Sequence, residues 1–356
     1  MAILKTGLIG FGLAGQAFHA PVIRGVTGME LTCILERSGS RAQEKYPDVR
    51  VARTLEELLA DPEIQLCVVA TPNASHYDLA RSCLLAGRNV VVDKPFAVTV
   101  QEAADLTRLA KQQRRVLSVY QDRRWDGDFQ TVRKLVMSGV LGRIAEYEAR
   151  FDRFRPEVRP NAWREQQGPG SGVFLDLGPH LIDQALVLFG PPQAVTAALF
   201  CQREAAKVED SFDVYLEYPW LRVTLRARII AYAPGPHFLI HGTKGSFIKY
   251  GMDPQEPPLR AGEVPDGPDW GPNWGEDPES LWGTLTVAAG GASCTQKVQT
   301  ERGDYRGYYE NVRDAIVHGY ALAVTPEQAL RTMQVLELAR QSSLEKRTIP
   351  WSEPAL

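Results

Sequence analysis

Short apolar runs alternate with amphipathic stretches along the first third of the chain. Ala2 to Ile9, Leu31 to Leu35, Leu66 to Ala70, Val90 to Val92 and Val116 to Tyr120 are each almost continuously apolar. Runs of this length, rich in β-branched residues, read as strands buried on both faces. The segments between them carry helix signals. Thr54 to Ala60 opens on a capping box, with Thr54 as cap and Glu57 three residues on. A helix after His76 runs to Ala86 and is closed by Gly87, and another spans Val100 to Arg114. Strand and helix in alternation predict a parallel sheet covered on both faces.

The pattern changes after Tyr120. Gln121-Asp122-Arg123-Arg124-Trp125 leaves the first unit, which divides the chain into residues 1–121 and 122–356. Phe129 to Met137 is an amphipathic helix ended by Gly139. Strands are then predicted over Ile144–Phe154, Ala194–Cys201, Ser211–Tyr218, Leu221–Ala231, Phe238–Ile240 and Ser246–Tyr250. Many alternate apolar with polar residues, as half-exposed antiparallel strands do. His241 to Gly245 reads as a hairpin connection. Gly251 to Ser280 is rich in Pro, Gly and Asp, carries Trp270 and Trp274, and reads as a lid or contact surface. The Gly168–Gly172 run leads toward Pro179, placed at the first position of an apolar helix over Leu181–Phe189. Two helices close the chain, the last with Thr325 as cap, Pro326 at its first position and Gln328 at its third. The fold class is α/β.

Composition narrows the function classes. At 356 residues the chain suits two domains. A net charge of −3 without blocks of like charge leaves no footprint for nucleic acid or anionic membrane. No apolar run is long enough to span a bilayer. The five cysteines are scattered and never form C-x-x-C, which argues against a disulfide scaffold or a metal site and fits a reducing cytoplasm.

Candidate chemistry gathers at the predicted strand ends. Gly10-Phe11-Gly12-Leu13-Ala14-Gly15 follows the first strand and precedes a helix, as G-x-G-x-x-G does in dinucleotide-binding turns. Glu36 closes the second strand about 20 residues past the last glycine, where an acidic residue meets ribose hydroxyls. The alternative is a structural turn with a surface glutamate. Arg37 and Ser38 suit a 2′-phosphate instead, so the reading is NAD or NADP, with Glu36 tilting it toward NAD. Thr71, Pro72 and Asn73 end the next apolar strand, where the ribose and nicotinamide would lie. His76 begins the following helix, either beside the cofactor or as a packing residue. Val90-Val91-Val92 drives into Asp93-Lys94-Pro95, which sets a lysine at the mouth of the sheet. Asp176 and His180 stand four apart, on one face if the turn is helical. There an aspartate fixes a histidine tautomer, or simply caps the helix over a buried histidine.

These motifs together resemble the Gfo/Idh/MocA family of NAD(P)-dependent oxidoreductases over essentially the whole chain. The likeness rests on Gly10-x-Gly12-x-x-Gly15, Ala70-Thr71-Pro72-Asn73-x-x-His76, Asp93-Lys94-Pro95 and Asp176-x-x-x-His180. Asp93 stands where the family usually has glutamate. Further stretches resemble a branch that includes scyllo-inositol dehydrogenases: Ser118-Val119-Tyr120 with Arg123-Arg124-Trp125-Asp126, Phe151 to Pro156, Ala162 to Glu165, and Phe247 to Gly251. Gln121-Asp122 departs from that branch, which often has His-Asn there. The resemblance implies an N-terminal Rossmann domain and a C-terminal α/β domain with a large, mostly antiparallel open sheet, assembled as a homodimer or homotetramer. It implies Lys94, Asp176 and His180 as the catalytic set. Lys94 would steady a developing alkoxide, His180 would take the hydroxyl proton, and Asp176 would orient His180. Arg123, Arg153, Arg155 and Trp163 are candidates to line a polyhydroxylated substrate, or are surface and packing residues. The expected reaction is hydride transfer between nicotinamide and a secondary alcohol of a cyclitol, sugar or sugar derivative. NAD-dependent glycoside hydrolysis and a non-catalytic dinucleotide sensor are the alternatives. Lys94 and His180 are expected to converge on one cleft.

Overall fold

The computed structural model describes residues 3–159, 162–290 and 292–355; Ala2, placed above in the first strand, lies outside them. Six parallel strands form the first sheet: β1 Leu4–Ile9, β2 Met29–Leu35, β3 Arg50–Ala52, β4 Leu66–Val69, β5 Asn89–Val92 and β6 Leu117–Val119. Their order is β3-β2-β1-β4-β5-β6. Every residue of β4 and β5 is buried, which is why those runs are apolar without alternation. The flanking helices are α1 Ala20–Arg24, α2 Arg41–Lys45, α3 Leu55–Leu59, α4 His76–Leu85 and α5 Val100–Gln113. Thr54 caps α3 by accepting from the Glu57 N–H at 3.2 Å. The reciprocal half of that box differs from expectation, because the Glu57 carboxylate accepts from Arg53 N instead. The strand order reverses between β1 and β4, which opens a crevice at their carboxyl ends.

Among the described residues the second sheet has nine strands around β7 Ile144–Asp152. The others are β8 Ala194–Phe200, β9 Ser211–Glu217, β10 Arg222–Arg228, β11 Phe238–Gly242, β12 Gly245–Lys249, β13 Gly283–Ala289, β14 Ala292–Val298 and β15 Ile349–Pro350. The order is β14-β13-β12-β11-β7-β10-β9-β8-β15, antiparallel except for β7 with β10. One face is buried, with Phe151, Phe212, Leu225, Ile240 and Phe247 among its core residues. Helices α6 Gly127–Ser138, α7 Val173–Phe189, α8 Glu256–Ala261, α9 Arg306–His318 and α10 Pro326–Glu345 complete the unit. Gly139 ends α6 at φ 72°, a conformation that suits glycine. Thr325 and Gln328 form the full capping box of α10.

Three expectations are corrected. First, α7 begins at Val173 instead of Leu181, so Pro179 lies inside the helix. Pro179 lacks the N–H that would meet the Leu175 carbonyl, but only one bond near the helix start is lost. Second, β13 and β14 were not anticipated. β14 is exposed along most of its length and carries Ser293, Thr295, Gln296 and Lys297, so it shows no apolar alternation. Third, the 251–280 segment is not all loop: it contains α8 and lies as a strap that makes a contact surface. Trp270 is buried against Gly25, where a Cβ would lie 2.7 Å from the indole, and Asp266 pairs with Arg24 at 2.8 Å. It thereby ties the second unit to α1 of the first. Predicted strand ends also run long: Ile230 keeps only an isolated bridge to Phe154 beyond β10.

The seam between the units is lined with aromatic rings. Tyr120, Tyr308 and Tyr309 are buried, and Tyr309 meets the Nδ1 atom of buried His19 at 2.7 Å. Among the described residues no helix is long and apolar enough to cross a membrane.

Candidate active site

The crevice is built from strand ends. Gly10 follows β1 at φ 100°, and a Cβ on it would lie 2.7 Å from the Ala70 carbonyl. A Cβ on Gly15 would lie 2.3 Å from the Gly10 carbonyl. Both glycines are therefore dictated by backbone crowding. Gly12 is different: it is exposed, and among the described residues no atom lies within 4 Å of its Cβ position. Between Phe11, which is buried in the core, and exposed Leu13 and half-buried Ala14, the Gly12 backbone faces open space. A turn that is tight on the protein side and open on the other fits a dinucleotide pyrophosphate.

Glu36 does not project into this space. It is 4% exposed; its carboxylate accepts from Ala42 N at 3.0 Å and from Arg41 Nε at 3.2 Å. Arg37 and Ser38 beside it are exposed. Further along the edge, Thr71 is half-buried and Pro72 exposed, while Asn73 turns toward the second unit. Its amide donates to the Gly170 carbonyl at 2.7 Å, which pins the Gly168–Gly172 run to the end of β4. His76 is fully buried, with Nδ1 2.9 Å from the Pro95 carbonyl and Nε2 2.9 Å from the Thr71 carbonyl. It clamps the ends of β4 and β5 together and presents neither nitrogen to a ligand, which corrects its cofactor-binding expectation.

Lys94 stands at the end of β5, before a cis Lys94–Pro95 peptide. Asp93 is buried and accepts from Lys94 N at 2.8 Å; the Nε2 atom of His19 lies 3.8 Å from the same carboxylate. Burial opposes the charge on Asp93, but His19, Lys94 and His76 outweigh it and hold its pKa low.

The Lys94 ammonium reaches α7. It donates to the Asp176 carbonyl at 2.7 Å and to the Asp176 carboxylate at 3.0 Å. Arg164 Nε approaches the same carboxylate oxygen at 3.3 Å. Burial alone would raise the Asp176 pKa, yet Lys94, Arg164 and Arg153 pull it far below the usual carboxylate range. Asp176 therefore holds Lys94, and the expected Asp176–His180 hydrogen bond does not form. An ion pair with two cations outcompetes a bond to a neutral imidazole.

His180 is one helical turn further on and 5% exposed. Its Nδ1 has no hydrogen-bond partner among the described residues and lies 3.9 Å from Asp122 Oδ1. Burial, reinforced by the Lys94 and Arg123 charges, pushes the His180 pKa well below that of free imidazole. The ring is neutral at physiological pH. Lys94, Asp176 and His180 thus meet at one place, although Lys94 and Asp176 are 82 residues apart.

The remaining candidates divide. Arg123 is buried, its guanidinium bound to Asp126 at 3.1 Å and to Glu256. That commitment leaves it a structural cation and corrects the expectation that it lines the substrate. Arg153 is half-buried near Asp176 and Glu256, and none of the described residues accepts a hydrogen bond from its side chain. Arg155 is exposed. Trp163 is 37% exposed and stacks under Arg164, with the guanidinium 4.5 Å from the ring centre. Asp122 showed in the sequence only as a departure from the branch pattern, and Arg164 and Glu256 carried no predicted role. Arg164 adjoins Trp163 and carried a weak signal; Glu256 lies in a segment that read as loop.

Two family models match the chain. "Oxidoreductase family, NAD-binding Rossmann fold" covers residues 4–121, and "Oxidoreductase family, C-terminal alpha/beta domain" covers 133–351. The chain belongs to the Gfo/Idh/MocA oxidoreductase family. Within it, the chain is 42% identical to the uncharacterized oxidoreductase YdgJ of Escherichia coli, over 97% of this chain and 98% of that one. It is 40% identical to scyllo-inositol 2-dehydrogenase (NADP(+)) IolW of Bacillus subtilis, over 97% and 95%. The solved structure of yvaA from Bacillus subtilis superimposes with a TM-score of 0.94 at 40% identity, covering 99% of each chain. The Gfo/Idh/MocA fold accounts for the parallel sheet, the mostly antiparallel second sheet and the crevice between them. The protein is an NAD(P)-binding oxidoreductase.

Proposed function

We propose that this protein is a dehydrogenase acting on a ring secondary alcohol of a cyclitol or sugar, with NADP as the preferred cofactor. The observation that carries the reaction is the meeting of Lys94, held by Asp176, with neutral His180. The polyol class is supported by the likeness to a scyllo-inositol 2-dehydrogenase.

The turn at Gly10, Gly12 and Gly15 would hold the pyrophosphate, and Thr71, Pro72 and the 93–95 corner the nicotinamide end. Bound NAD(P) supplies the acceptor or donor of hydride. The protein's own part is proton and charge handling. An ammonium has three N–H donors. Two of those on Lys94 go to Asp176, which leaves the third for a substrate oxygen. His180 is uncharged and can accept the hydroxyl proton. Arg153, with its donors free of the described side chains, and Trp163 would meet the remaining hydroxyls and an apolar sugar face.

Glu36 gives no ground for preferring NAD. Its carboxylate is committed to Ala42 N and Arg41, so it does not face the ribose. Exposed Arg37 and Ser38 are left to meet a 2′-phosphate. The name of the IolW relative, which carries NADP(+), agrees.

A panel of inositols and aldoses with NADP and NAD, followed by absorbance of reduced nicotinamide, tests both parts. Accumulation of NADPH with a cyclitol supports the reading. Release of sugar from a glycoside with no net reduction would point to the hydrolase chemistry instead, and equal rates with both cofactors would remove the NADP preference. Assembly into a homodimer or homotetramer belongs to the same reading; β8 and β9 bury one face and leave alternate residues part-exposed on the other. Light scattering tests it.

A further inference from the structure

A buried ring nitrogen without a partner among the described residues faces a nearby carboxylate. The Asp122 carboxylate, 8% exposed at the end of β6, accepts no hydrogen bond from any described residue. The Nδ1 atom of His180 likewise has none, and the two are 3.9 Å apart. The gap is about 1 Å longer than a hydrogen bond, and leaving the buried Nδ1 unpaired is costly. Asp176, the other acid near His180, is already held by Lys94 and Arg164.

We propose that Asp122 is the positioning residue of His180: its carboxylate accepts the Nδ1 proton and so leaves Nε2 as the atom that takes the substrate proton. The inference rests on the dehydrogenase reading only for the identity of that proton. In the oxidation direction the substrate O–H bond breaks and its proton goes to Nε2. The C–H bond on the same carbon breaks, its hydrogen leaving with both bonding electrons as the hydride that oxidised nicotinamide would accept, and a C=O bond forms. The imidazolium left on His180 is stabilised by the Asp122 carboxylate.

The surroundings give this pair a pH dependence. Lys94 and Arg123 face both groups; Asp93 and Glu256 also face Asp122, while Asp176 and Arg153 also face His180. The hydroxyls of Tyr120, Tyr305, Tyr308 and Tyr309 are close enough to feel the Asp122 charge. Burial raises the Asp122 pKa to about 6, with Asp93 and Glu256 adding to it and Arg123 and Lys94 opposing. Below that pH the acid is protonated and its charge no longer stabilises the imidazolium, so His180 is a weaker base.

The test is Asp122→Asn, with Asp122→Glu as the conservative control, in the full chain. With scyllo-inositol and NADP as probes, kcat of Asp122→Asn falls by at least about tenfold, the scale expected for general-base catalysis. The KM for NADP stays the same, and the fall in kcat near pH 6 disappears. Asp122→Glu recovers part of the rate and restores a carboxylate-dependent acid limb. Nitrogen-15 spectra of the histidine rings, with His180 assigned from a His180→Gln variant, supply a readout that needs no turnover. At pH 8 the wild type shows Nδ1 protonated, and Asp122→Asn shifts His180 away from that tautomer. An unchanged kcat profile or an unchanged tautomer in Asp122→Asn overturns the proposal. A wild type without activity on the whole polyol panel sinks the dehydrogenase reading, while the ring spectra still decide the Asp122–His180 pairing.

Discussion

Lys94 Nζ donates to both the carboxylate and the carbonyl of Asp176, at 3.0 and 2.7 Å. The first residue ends a strand of the cofactor-binding sheet, and the second lies in the first turn of α7 in the other unit. The double contact fixes the ammonium in direction as well as in position. Replacing Lys94 with alanine therefore removes a preset donor, and kcat for polyol oxidation is expected to drop by about 10²–10³-fold, the range seen when one preorganised donor is lost. Cofactor affinity, measured by fluorescence titration with NADPH, changes much less.

The same pair has a signature in stability. The folded-state pKa of Asp176 is depressed, so its contribution is fully present above the unfolded carboxylate value of about 3.9. It is lost as pH falls below that toward the folded value. Asp176→Asn should lower the urea midpoint at pH 7, by an amount corresponding to about 2 kcal/mol for a charged hydrogen bond. It should also lose less of its remaining stability than wild type when the pH is taken from 5 to 3.

Gly12 and Gly15 separate ligand space from protein space. At Gly12 a methyl group meets no atom of the described residues, whereas at Gly15 it runs into the Gly10 carbonyl. Gly12→Ala is expected to keep the wild-type melting temperature and raise the cofactor KM about tenfold or more, because the methyl occupies space beside the pyrophosphate. Gly15→Ala is expected to lower both the melting temperature and cofactor affinity. Thermal melts with paired cofactor titrations distinguish the two.

Cofactor choice turns on the loop after β2. Arg37→Ala should raise the KM for NADP about tenfold and leave that for NAD nearly unchanged, since only the 2′-phosphate is lost as a partner. Glu36→Gln should behave differently. It weakens the contacts to Ala42 N and Arg41 and lowers stability by about 1 kcal/mol without conferring NADP selectivity. An Arg37→Ala enzyme whose ratio of NADP to NAD activity is unchanged would remove the loop from cofactor discrimination.

Local physics made much of this legible. The parallel sheet showed in fully apolar runs, because strands covered on both faces have no polar side to display. Gly10 and Gly15 showed in the sequence because backbone crowding admits no other residue there. Thr325 with Gln328, and Gly139, marked helix ends through contacts a few residues away. What was hidden is long-range or polar. Among the described residues β14 pairs with β13 alone and is exposed, so nothing in its composition distinguishes it from loop. Pro179 reads as a helix start by local preference, but the helix is set by packing that begins at Val173. The partners of the acids were also invisible. Asp176 and His180 share a helix, yet Asp176 is claimed by Lys94 and Arg164, which no spacing rule connects to it.

The central claim is that Lys94 and His180 together handle the substrate hydroxyl in a nicotinamide-dependent oxidation. The most direct measurement is single-turnover absorbance of NADPH formed from NADP and scyllo-inositol by wild type, Lys94→Ala and His180→Ala, each shown to be folded and to bind NADPH. The account predicts one NADPH per ketone formed in wild type and a loss of at least about 10²-fold in the hydride-transfer rate of each variant. Wild-type rates in both variants on a substrate that the native enzyme oxidises would contradict it.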